Sequence, residues 1–143
     1  TLTATATVGE GFKVGNQIGF GLICRDNMFI ADNYKTKADY VTAGYTQQSV
    51  SSVSTPIAPF ARLNGALDKA NVIETAPAAG DSIELKLTRK DGVYTAQYGN
   101  NTPVTYTDVN LAALNADHDY VGMFVSRNAD ITFSNVSLTV DAK

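Results

Sequence analysis

Tryptophan is absent from this 143-residue chain, and cysteine and histidine occur once each. A single cysteine, Cys24, excludes an intramolecular disulfide. One cysteine and one histidine are too few nitrogen and sulfur ligands for a zinc site. No G-x-S-x-G elbow accompanies the lone His118, which argues against nucleophilic catalysis. Charged residues make up only 17% of the chain and the net charge is −3, with Lys and Arg scattered along it. A nucleic-acid-binding surface needs the opposite, a gathered basic patch. No apolar run approaches the length of a membrane-spanning helix. The chain opens directly on a strand-like pattern without a leader segment, as expected of a mature or excised fragment. Its length suits one module spanning residues 1–143, large enough to bury a core without covalent staples.

What is present is period-two alternation, the mark of half-buried strands. Leu2, Ala4, Ala6 and Val8 share one face of the first strand, and Ile18, Phe20, Leu22 and Cys24 share one face of the second. Cys24 in that apolar run reads as a buried, inert thiol. Arg25-Asp26-Asn27 is turn chemistry, and Met28 to Asp32 returns as a short strand, so residues 18–32 read as a hairpin. Asp39 to Gln48 forms a further strand with Val41, Ala43 and Tyr45 on one side. Residues 49–59 are an exposed loop or a weak edge strand, because Pro56 and Pro59 cannot serve a central one. Short strands follow at Phe60 to Leu63 and at Val72 to Thr75. Ser82 to Arg89 and Val93 to Tyr98 form a hairpin through Lys90-Asp91-Gly92. Val104 to Thr107 is another short strand, and Asn110 to Asn115 has room for one helical turn. Tyr120 to Ser126 and Ile131 to Val140 close the chain. The apolar phase of the last strand slips by one residue near Ser134-Asn135, which calls for a β-bulge. About ten short strands with turn signals between them predict an all-β, antiparallel two-sheet sandwich whose first and last strands are neighbours.

Few residues carry obvious chemistry. Glu84 alternates with Ile83 and Leu85 and points outward, and Glu10 and Glu74 sit in or near turns. No pair of acids is placed to flank a glycosidic bond. Calcium stays open, with Asp26, Asn27, Asp32 and Asn33 as oxygen ligands in one turn region and Asn128 and Asp130 in another. The same residue types also simply make turns. Arg25, Arg62 and Arg127 each end or interrupt an apolar strand. A guanidinium there needs partners. Either nearby carboxylates pair with it (Arg25 with Asp26 or Asp32, Arg127 with Asp130), or the arginines form a cationic rim for uronic-acid carboxylates, joined by Lys35 and Lys37. Gly19 and Gly21, on the same face as Arg25, leave space for a sugar or for a large core aromatic ring. Without tryptophan, the seven tyrosines must supply any sugar-stacking ring. Tyr34, in a polar loop, is the best exposed of them, and Tyr45 stands with it as a candidate. A flat platform for crystalline cellulose is disfavoured, and a soluble glycan held in a groove or by loops fits better.

Four segments carry a family resemblance: Ile18-Gly19-Phe20-Gly21-Leu22-Ile23-Cys24-Arg25-Asp26, Asp39-Tyr40-Val41-Thr42-Ala43-Gly44, Pro59-Phe60-Ala61-Arg62, and the closing run from Tyr120 to Val136 with its Phe133-Ser134-Asn135-Val136 end. They resemble accessory β-sandwich modules of large secreted bacterial polysaccharide-degrading enzymes, notably pectate-lyase-type proteins, within the wider concanavalin-like jelly roll. The resemblance implies an extracellular, non-catalytic carbohydrate-binding module, covalently linked to catalytic or surface domains and requiring no cofactor. Acidic plant polysaccharide such as pectin is the leading ligand class, and no nucleic acid or membrane partner is expected. The competing expectations are a structural or adhesive spacer of a bacterial cell-surface protein and a small polysaccharide lyase or hydrolase.

Overall fold

The computed structural model describes residues 1–25, 39–63, 65–107 and 120–142. Among them the regular elements are all strands: β1 (Leu2–Val8), β2 (Gly19–Arg25), β3 (Tyr40–Val50), β4 (Val53–Ile57), β5 (Ala61–Leu63), β6 (Ala66–Asp68), β7 (Ser82–Lys90), β8 (Val93–Tyr98), β9 (Val104–Tyr106), β10 (Tyr120–Ser126) and β11 (Ile131–Leu138). They form two antiparallel sheets that pack face to face. One has the order β11-β1-β7-β8-β9 and the other β10-β2-β3-β5-β6, with β4 folded back onto β3. The predicted sandwich is thus observed, and β1 pairs with β11 as expected.

The alternation read from the chain selects the core. Leu2, Ala4, Ala6 and Val8 of β1, Leu85 and Leu87 of β7, and Tyr94, Ala96 and Tyr98 of β8 face Phe20, Leu22 and Cys24 of β2 and Val41, Ala43 and Tyr45 of β3. All are buried. Phe20 lies at the centre, with ring centroids 5.7 Å from Tyr45, 6.2 Å from Phe12 and 6.3 Å from Tyr98, in tilted and edge-on arrangements. Such arrangements add to the stabilisation from burial itself. The Tyr45 hydroxyl donates to Gln47 Oε1 at 2.5 Å, and Gln47 Nε2 donates to Ser54 Oγ at 2.9 Å. A short polar chain therefore satisfies the buried phenol.

The phase slip in the last strand is a bulge. Between Thr3 and Thr5 of β1 the partner strand advances from Ser137 to Ser134, one residue too many. Asn135 absorbs the extra residue at φ 51°, a conformation that asparagine tolerates better than most residues. Its amide donates to Thr5 Oγ1 at 3.3 Å. Of the two expectations for residues 49–59, the edge strand is observed: residues 53–57 form β4, joined to β3 through Ser51 and Ser52, both with positive φ. Pro56 is accommodated because β4 lies off the main path of the sheet. The strand expected at Val72 to Thr75 is absent; Val72 makes one isolated bridge to Ile57. β6 has no counterpart among the expected strands, since Ala66–Asp68 has too few residues to display a period. The return strand at Met28 to Asp32 and the turn at Asn110 to Asn115 lie outside the described residues.

Gly21 and Gly44 are directly paired across β2 and β3. A Cβ on Gly44 would come within 2.4 Å of the Phe20 carbonyl oxygen, and one on Gly21 within 2.4 Å of the Gly44 Cα. Close strand approach at this point requires glycine on both sides. Gly44→Ala is expected to lower the unfolding free energy by about 1–3 kcal/mol, the usual cost of overpacking, measured as a shift of the urea midpoint.

Burial pushes the Tyr45 phenol up to about 12 from its ordinary 10.0, and Tyr98 and Tyr106 are raised for the same reason. The folded chain therefore keeps phenolic protons that the unfolded chain releases. Stability is fully present below about pH 10 and falls as pH rises through the folded-state values. Urea midpoints followed against pH should stay flat on the neutral side and drop in that alkaline window, together with the appearance of phenolate absorbance.

Candidate functional site

The faces of β2, β3 and β10 turned away from the core are built by the residues the core does not use. On β2 these are Gly19, Gly21, Ile23 and Arg25, and the antiparallel register sets the first neighbours of each. At one end of the sheet the register aligns Tyr120 of β10 with Arg25 of β2, Arg25 with Tyr40 of β3, Tyr40 with Arg62 of β5, and Arg62 with Leu67 of β6. Directly opposite residues on adjacent strands project to the same face. The result is a transverse row, Tyr120–Arg25–Tyr40–Arg62, in which aromatic and cationic side chains alternate. Adjacent strands lie about 4.8 Å apart, so the backbones of Arg25 and Arg62 are about 10 Å apart.

A second layer of rings flanks the row. The Phe60 ring packs edge-on against Tyr40 at 6.1 Å and against Phe124 at 5.8 Å. Thr42 holds Phe60 in place: its hydroxyl donates to the Phe60 carbonyl at 2.7 Å, and its backbone N–H donates to the same oxygen at 3.0 Å. A Cβ on Gly19 would come within 2.8 Å of the Tyr45 carbonyl oxygen and 3.3 Å of Ser126 Oγ, with Phe124 Cε2 at 3.5 Å. Close approach of β3, more than a ring, is what calls for glycine there.

Tyr40 is half-buried. Burial raises its pKa, and the positive charges of Arg62 and Arg25 partly offset that rise. Its hydroxyl therefore stays protonated in neutral solution and offers a neutral donor between two guanidinium groups. The Arg62 Nε donates to the Gly65 carbonyl at 3.3 Å, and Gly65 N–H donates to Asp39 Oδ1 at 3.1 Å. The base of the Arg62 side chain is thereby tied to the turn that follows β5.

The candidate residues divide. Arg25 and Arg62 come together on one face through the register above. Arg127 does not join them. It follows Ser126, at the far end of β10 from Tyr120, about 20 Å away at ~3.4 Å per residue. Its Nη2 donates to Gln17 Oε1, while the Asp130 carboxylate expected to pair with it accepts the Gly11 N–H at 2.9 Å. Tyr45 is a correction. It is 0% exposed, because it shares the core phase of Val41 and Ala43, and no face of its ring is open to a ligand. Tyr34, Lys35, Lys37, the calcium candidates Asp26, Asn27, Asp32 and Asn33, and His118 lie outside the described residues. Among the described residues, no group of three or more His, Cys, Asp or Glu side chains could hold a metal ion. No helix among them is long and apolar enough to cross a membrane. Glu84 faces outward as expected, accepting the Thr5 hydroxyl at 2.8 Å.

Tyr40 and Tyr120 are the site residues that the candidate set lacked. Their outward phase was readable, since each precedes an apolar position of its strand. Their adjacency to arginine was not, because it depends on strand order.

A concavity lies away from the row, between residues 70–75 and 98–104, an open groove of about 830 Å³ lined by Asn71, Glu74, Asn100, Asn101 and Thr102 among others. Asn71 is already engaged there, donating to the Pro59 carbonyl and the Tyr106 hydroxyl.

No solved structure matches the chain. It is similar to pectate lyase L of Thermoclostridium stercorarium, with 31% identity over 128 residues that cover 89% of this chain and 9% of that protein. The chain thus spans less than a tenth of this curated relative. Residues 27–143 match the model of the pectate disaccharide-lyase N-terminal domain. That match takes in most of the chain, including β3, β5 and β10 of the row but not β2, and by it the chain belongs to the family of pectate disaccharide-lyase N-terminal domains.

Proposed function

We propose that this domain is an extracellular, non-catalytic carbohydrate-binding module that tethers covalently linked domains to acidic plant polysaccharide such as pectin. The observation that carries the reading is the transverse row of Tyr120, Arg25, Tyr40 and Arg62. Guanidinium groups form forked, charge-assisted contacts with carboxylates. Tyrosine rings offer flat apolar faces for pyranose rings and a hydroxyl for their polar rims. The family supports the same direction, since its name and the similar protein both concern pectate lyases. The small share of that protein matched here supports an accessory rather than a catalytic part. A rigid sandwich holding such a row would raise the local concentration of polymer around whatever is joined to it. A jelly-roll lineage of the concanavalin type is part of the same proposal, as is the single-module extent of residues 1–143. It requires no cofactor.

Affinity electrophoresis through gels containing pectin, xylan, glucan or alginate tests the reading. Low-ester pectin should retard the domain. Arg25→Gln or Arg62→Gln should weaken retardation about tenfold or more, the scale of one lost hydrogen bond to a charged group. Arg127→Gln, at the other end of the sheet, should leave it unchanged. Added salt should weaken it, as for any partly exposed charge contact. Retardation by no glycan would favour the spacer reading instead. One observation already leans that way. Val121, Met123 and Val125 of β10 and Val136 and Leu138 of β11 are about half exposed, an apolar edge that a neighbouring domain could cover. Release of unsaturated sugars, seen as ultraviolet absorbance, would establish a lyase.

A further inference from the structure

We infer that the ligand lies across the strands, not along them, and that the unit recognised is a run of non-esterified uronate residues long enough to present separate carboxylates to Arg25 and Arg62. This rests on the carbohydrate-binding reading and specifies its substrate class.

The direction follows from where cations recur. Along β2 the outward residues after Arg25 are Ile23, Gly21 and Gly19, and along β3 they are Tyr40, Thr42, Gly44 and Thr46. None is charged. Along β10 they are Tyr120, Gly122, Phe124 and Ser126. Within β2, β3 and β10, a polyanion following the strand would meet at most one of the two arginines and then a neutral face. Across the strands, cation and ring alternate over four neighbouring positions. The Phe60–Phe124 contact closes the row on its inner side, which leaves the transverse direction as the one that keeps a chain over both arginines.

The length requirement follows from spacing. Arg25 and Arg62 stand on strands separated by β3, about 10 Å apart. One pyranose uronate carries one carboxylate and can satisfy one guanidinium. Engaging both takes two carboxylates on different residues of one chain, with the intervening sugar over Tyr40. Joining two contacts in one molecule makes the second intramolecular, so affinity should rise steeply once the ligand spans the pair. Methyl esterification removes the charge and the second acceptor oxygen of each carboxylate, and so removes the forked contact.

Isothermal titration of the 143-residue chain with galacturonate monomer, dimer, trimer and hexamer, and with fully methyl-esterified hexamer, provides the test. Affinity is expected to rise at least about tenfold between monomer and the shortest oligomer that reaches both arginines. It should then level off, and it should be lost on esterification. Arg62→Gln should remove that step while leaving weak binding of the monomer. Arg62→Lys, which keeps the charge without the fork, should restore part of it. Circular dichroism of each variant establishes that the sandwich is retained. A step that survives unchanged in Arg62→Gln, or equal affinity for the free and esterified hexamers, overturns this inference while leaving carbohydrate binding intact. The comparison of free and esterified hexamer uses the unaltered chain, so it decides the question even if a variant fails to fold. Binding of no uronate and no polysaccharide overturns both.

Discussion

Successive side chains of a β-strand point to opposite faces, and every other feature of this domain follows from that constraint. Each strand that supplies the core must at the same time supply an outer surface, in the same register and over the same length. Phe20 and Tyr45 can meet Phe12 and Tyr98 between the sheets only if their immediate neighbours turn outward. In this domain those neighbours are glycines, threonines and, at one end, Arg25 and Tyr40. Site and core are the two faces of the same strands, so the geometry of one is fixed by the packing of the other.

This coupling explains the use of glycine at Gly21 and Gly44. Their pairing lets β2 and β3 approach closely, and Gly19 likewise stands too near the Tyr45 carbonyl oxygen to carry a Cβ. Phe60 then contacts both Phe124 and Tyr40 edge-on, and Tyr40 is held between the arginine-bearing strands. A small-residue patch in the middle of the sheet thus builds the aromatic wall beside the cationic row. Elsewhere, Gly9 and Gly11 serve a different purpose. They admit the Asp130 carboxylate, which accepts the Gly11 N–H, and so close the end of the sandwich where β1 and β11 pair.

Much of the fold was legible. The core positions of β1, β2, β3, β7 and β8 were readable because a period of two survives any arrangement of the strands. The bulge at Asn135 was readable because a change of phase in an apolar run has few other physical causes. The weak points were elements too short to show a period: β6, and Val72 to Thr75, which makes a single bridge instead of a strand. The site was less legible. Tyr45 shared the phase of Val41 and Ala43, and that phase alone placed it in the core. Arg127 resembled Arg25 and Arg62 in its local setting, at the end of an apolar strand, yet stands at the opposite end of the sheet.

Local pattern therefore determined which residues of this chain are strands, which of their faces are apolar, and that two sheets must pack together to hide those faces. It also determined that one cysteine and one histidine are too few nitrogen and sulfur ligands for a zinc site. Only the tertiary structure decided that β10, β2, β3 and β5 lie side by side in that order, and so that Tyr120, Arg25, Tyr40 and Arg62 form one row. The physical reason is that strand pairing joins positions far apart in the chain. Tyr120 and Arg25 are nearly a hundred residues apart, and a pattern that extends over a few residues carries no information about which distant strand will become its neighbour.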